Sequence, residues 1–165
     1  MRLKSRTILW GVLPILVASL CVEAASPQTK IAPSGDTILG ATSPRGKAVV
    51  TIHTAIVEGD CAKACPASRV WWDWGVKQVP VVESLNVSVS GHKVVVPLSV
   101  YASMFDPVEA SLRYEKGSFV LRVEGADASE SYFELVYFNR EEVTELRIYA
   151  TEFPEHPVQI THFYY

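Results

Sequence analysis

Beyond residue 47 the hydrophobic and polar positions alternate mostly with a period of two, which is the period of a strand with one buried face. Val49, Val50, Ile52, Ile56 and Val57 form a β-branched run that predicts a first strand. Val70, Trp72 and Trp74 alternate with Trp71 and Asp73. Leu85, Val87 and Val89 alternate with Asn86, Ser88 and Ser90; Gly91 and His92 then turn the chain and Val94, Val95 and Val96 return, which predicts a hairpin. Phe119, Leu121 and Val123 share a face opposite Arg122 and Glu124, and the aromatic run 131–138 comes next. Thr144, Leu146 and Ile148 alternate with Glu145, Arg147 and Tyr149, and 158–165 supplies a last strand. Turn residues at 125–129, 139–142 and 154–157 separate these runs. The pattern predicts an all-β or β-rich α+β fold, an antiparallel sandwich or barrel of about seven to eight short strands. One short helical excursion is predicted near 97–112, because Pro97 suits a first helical position and Asp106-Pro107 interrupts the helix within that span.

The chain before residue 47 lacks such a period. Arg2, Lys4 and Arg6 precede an apolar run of about 14 residues, shorter than the roughly 20 a membrane span needs. Val22, Ala24 and Ala25 come after it, so residues 1–24 read as a signal peptide cleaved after Ala24. Leu20 before Cys21 is too bulky for a lipoprotein signal. Residues 25–46, rich in Pro, Gly and Ser, read as a flexible N-terminal segment, and 47–165 as a single β-rich domain. A leader places the protein in the periplasm or outside the cell, with no stable membrane span after its removal. In that setting Cys61 and Cys65, the two cysteines left, are expected to form a disulfide. Asn86-Val87-Ser88 would accept a glycan in a eukaryotic secretory pathway.

Charge adds a regional asymmetry. The chain beyond the leader carries 12 Lys+Arg against 17 Asp+Glu, a net charge of −5. Residues 124–155 hold nine acids and two bases. Such a surface disfavours nucleic acid, since phosphate binding needs cations, and favours a basic partner.

The sequence holds no zinc-binding helix pair, nucleophile elbow or phosphate loop, so no catalytic residue, metal or cofactor is assigned. His53 and His162 would make a metal site only if their strands paired. Paired acids of the 124–155 stretch are the basis of a less favoured glycosidase reading. Trp71, forced off the face that Trp72 and Trp74 share, could offer its ring to a carbohydrate or small ligand of the envelope. The sharpest candidate is the loop carrying Asp127, Ser129, Glu130, Ser131 and Tyr132, a polar segment held between two strands. It resembles, over about six residues carried by Ser129 and Tyr132 with Ser131 beside them, the serine-and-tyrosine loop with which bacterial periplasmic lysozyme inhibitors plug an enzyme's active site. Export, the absence of a catalytic motif and the acidic segment beside this loop lead to the expectation of an exported, non-catalytic binding protein, in the form of an inhibitor or immunity protein against a basic cell-wall hydrolase.

Overall fold

The computed structural model of the chain describes residues 27–58, 78–126 and 131–165. Ten strands run through them: β1 (Thr29–Lys30), β2 (Gly35–Ser43), β3 (Gly46–Glu58), β4 (Gln78–Val89), β5 (His92–Val94), β6 (Pro107–Glu115), β7 (Ser118–Gly125), β8 (Tyr132–Phe138), β9 (Val143–Ala150) and β10 (Gln159–His162). They form a six-stranded sheet in the order β1-β6-β7-β8-β9-β10 and a four-stranded sheet in the order β2-β3-β4-β5, with every strand pair antiparallel. The two sheets stay separate, so the architecture is a sandwich and not a closed barrel.

The core lies between the sheets and obeys the period-two alternation. Val50 and Ile52 of β3 and Val87 and Val89 of β4 face Leu121 and Val123 of β7 and Val136 and Phe138 of β8. Phe138 is fully buried, and its ring stacks on Phe119 at 5.6 Å, which in turn meets Tyr114 edge-on at 5.0 Å. The six-stranded sheet also covers part of its outer face. Phe133 and Leu135 of β8, Val120 of β7 and Tyr149 of β9 form a second buried cluster. The Arg122 guanidinium lies 3.8 Å above the Phe133 ring, and Arg147 sits over Tyr137.

Three expectations from the sequence are corrected. The segment expected to be flexible, 25–46, contributes β1 and the nine-residue β2, which pairs with β3 along its whole length. Its inward residues are Thr37, Leu39 and Ala41, and the outward-facing Ile38 beside Leu39, with Gly and Ser around them, masks the alternation. The helical excursion near 97–112 shrinks to a single 3-10 turn, Leu98–Val100, and 107–115 is strand β6. Pro107 is the first residue of that strand, a position where no ladder hydrogen bond is lost, and pairing with β7 overrides the helix preference of its Ala, Leu, Glu and Arg. The predicted hairpin at 91–92 forms one residue earlier, around Ser90 and Gly91, both at positive φ as a type I′ turn requires.

The connections divide cleanly between the two ends. The β2–β3, β4–β5, β6–β7 and β8–β9 turns all close at one end, within a few residues each. β1, β3, β7 and β9 end, and β2, β4, β6, β8 and β10 begin, at the other, which we call the open end.

Candidate functional site

The open end is where the strands that flank both sequence-predicted segments terminate. The segment carrying Cys61, Cys65 and Trp71 leaves from the end of β3 and returns at Gln78, and the segment carrying Asp127, Ser129 and Glu130 leaves after Ala126 and returns at Ser131. Those six residues, like the leader, lie outside the described residues.

Backbone hydrogen bonds tie the described stems together. The Asp106 amide donates to the Pro80 carbonyl at 2.7 Å, and the Ala126 amide donates to the Asp106 carbonyl at 2.9 Å. The Thr151 amide donates to the Ser131 carbonyl at 3.0 Å, and Val81 bridges Phe105. One chain of contacts therefore runs from the start of β4, through Asp106, to the base of the 126–131 loop. Asp106 and Ala126 hold φ values of 43° and 57°. For side-chain-bearing residues that region costs about 1 kcal/mol or more each, and such strain persists where surrounding structure enforces it. At the opposite end the positive-φ residues Ser90 and Lys116 each precede a glycine in a tight turn.

Tyr132, expected on the loop's exposed side, packs inward. It is 8% exposed and turned into the core, in register with Gly125. A methyl at Gly125 would lie 2.5 Å from its hydroxyl, so the glycine is what lets the ring lie flat across β7. The hydroxyl donates to the Phe105 carbonyl at 2.7 Å and the ring packs against Phe105 at 5.2 Å. Burial, with the nearby Glu134 carboxyl adding to it, holds the phenol well above its ordinary range. Tyr132 is thus a clamp between β8 and the segment before β6. Ser131, whose carbonyl anchors Thr151, sits at the loop's base.

The acids of 124–155 are dispersed. Glu124 and Glu145 are bound to Arg122 and Arg147, and Glu145 also meets His162 at 3.1 Å. Glu141 and Glu142 lie on the β8–β9 turn, whereas Glu152 and Glu155 lie on the β9–β10 connection at the open end. Glu134 is inside the sandwich, 1% exposed. Neither of its oxygens has a hydrogen-bond partner, nor has the buried Ser103 Oγ close by. Ser103 favours the charged form without reaching hydrogen-bond geometry, and burial dominates, pushing the carboxyl up to about 8. In the sequence Glu134 groups with the surface acids. The available cue is its alternation with Phe133 and Leu135, but β8 is buried on both faces and the polar residue lies on the inner one.

Two other clusters carry titratable groups. An open depression of about 330 Å³ on the outer face is lined by residues including Glu115, Tyr137 and Glu145. The hydrogen bond from Arg113 holds Glu115 below the usual carboxylate range, which makes it a poor proton donor, and Glu145 is hydrogen-bonded to Arg147. His53 lies on the four-stranded sheet, its Nδ1 2.6 Å from Asp36 and its Nε2 3.6 Å from Glu83, and it does not meet His162. These three form a row across β2, β3 and β4, and among the described residues no set of side chains converges to hold a metal ion. No helix among the described residues is long and apolar enough to cross a membrane. No family model, curated protein or solved structure matches the chain.

Proposed function

We propose that the protein is an exported, non-catalytic binding module that engages a basic cell-wall hydrolase through the open end of the sandwich. The observation that supports this reading best is the hydrogen-bonded chain Pro80–Asp106–Ala126, which holds the stems of both sequence-predicted segments beside one another while the strap is closed. Binding loops gain affinity when their stems are ordered in advance, since less conformational freedom is lost on contact. Glu152 and Glu155 at the same end add negative charge that steers a basic partner. The clamp by Tyr132 moves that residue from contact to support, leaving Asp127, Ser129 and Glu130 with Trp71 as the contact residues.

The test is inhibition. The chain lacking residues 1–24, in micromolar excess, is added to a panel of basic lysozymes and amidases. The expected result is inhibition of at least one enzyme, weakened by salt and abolished by Ser129→Arg. A panel that stays fully active removes the hydrolase as partner, and inhibition undiminished by Ser129→Arg removes the loop.

A further inference from the structure

We infer that residues 101–106 form a strap that opens when Glu134 gives up its proton to solvent, so that pH governs the release of this end of the sandwich. The strap acts in this way whether or not the open end binds a partner.

Glu134 projects from the inner face of β8, with Val123 of β7 and Ile148 of β9 as its register partners. On its own strand the same face carries Tyr132 and Val136, and from the strap it meets Ser103. The titratable group in electrostatic contact with it is the Tyr132 phenol, with Asp106, of like charge, beyond that ring. Among the described residues no cation acts on it. A carboxylate there would be an uncompensated charge in a low-dielectric interior, whereas the protonated acid is tolerated. Folded and proton-bound states are thereby linked, and the carboxyl is held up to about 8.

The strap is the neighbour that yields. β8 is hydrogen-bonded along both edges, to β7 and β9, and cannot swing out without breaking the sheet. The strap is held by separate hydrogen bonds, among them the Val82 amide to the Met104 carbonyl at 3.1 Å, the Asp106 amide to Pro80 at 2.7 Å and the Tyr132 hydroxyl to Phe105 at 2.7 Å, and by the Met104 side chain, which is buried in the core and must leave it on opening. Opening also relieves the left-handed backbone at Asp106. Because Ala126 hangs on the Asp106 carbonyl, strap release frees the base of the neighbouring loop.

Hydrogen exchange of the full chain tests this. An opening that exposes an acid ionising near 4.5 when free and near 8 when buried grows about tenfold per pH unit between those values, after correction for the intrinsic rate. The amides of Val82, Met104, Asp106 and Ala126 are therefore expected to lose about a hundredfold in protection between about pH 5.5 and pH 7.5. They are expected to remain less protected than Val50 and Ile52, and Glu134→Gln is expected to flatten the pH dependence. Strap protection that is independent of pH, that changes equally in Glu134→Gln, or that matches Val50 at every pH overturns the proposal. Should Glu134→Gln fail to fold, the carboxyl carbon of Glu134 in the unaltered chain decides by its NMR titration. A midpoint near 8 supports the strap, and one in the ordinary carboxylate range overturns it.

Discussion

At one end of the sandwich four turns close within a few residues over Phe119, Phe138 and Tyr114, whose rings pack on one another. At the other, the interior contains an unpartnered carboxyl and a serine hydroxyl. The same two sheets serve both. The difference teaches that the closed end carries the stability, and that the open end retains groups which cost stability and gain meaning only if that end moves or binds.

The largest effect expected from this contrast is the pH dependence of stability. Glu134 ionises near 4.5 in the unfolded chain and near 8 in the folded one. Below 4.5 both states hold the proton and nothing changes. Between 4.5 and 8 the folded state holds the extra proton, so stability falls as pH rises; above 8 the loss is complete. At about 1.4 kcal/mol per unit the fall amounts to about 5 kcal/mol over the whole range, of which about 4 kcal/mol is read by urea unfolding at about pH 4.5 and pH 8. Glu134→Met is expected to remove most of that slope and to raise stability at neutral pH. Next, at the closed end, Phe138→Ala is expected to cost about 3–5 kcal/mol in the same assay, with no change in the slope. Gly125→Ala, which drives a methyl into Tyr132, is expected to cost about 1–3 kcal/mol. Tyr132→Phe, which removes the hydrogen bond to the Phe105 carbonyl, is expected to cost about 1–2 kcal/mol and to lower strap protection. The smallest effect belongs to the outer face: Arg113→Ala, breaking a part-exposed pair with Glu115, is expected to change stability by less than about 1 kcal/mol.

The fold is legible where alternation coincides with large side chains. β3, β4, β7, β8 and β9 stand out because Val, Ile, Leu and Phe recur at every second position beside clear turn residues. β2 is hidden because Ile38 points outward beside the buried Leu39 while the inward Thr37 and Ala41 present little apolar bulk, and β6 because its residues favour helix until β7 pairs with them. At the candidate site, the turn residues after Val123 locate the 126–131 loop. The direction of Tyr132 is not legible, since a tyrosine beside a loop satisfies either face, and here a glycine on the adjacent strand decides it. Nor is the buried Glu134, because an acid inside a core departs from the polarity rule that sequence reading relies on. The tie between Asp106 and Ala126 joins residues twenty positions apart and depends on the register of β6 against β7, which no local pattern encodes.

The contrast between the ends is tested most directly by native-state hydrogen exchange of the amides that secure them, measured at one neutral pH without any partner. Asp106, Ala126 and Thr151 are expected to open with free energies at least about 2 kcal/mol below those of Ser90 and Asn139, which close the short turns. Equal opening free energies at the two ends would contradict the division of labour between them.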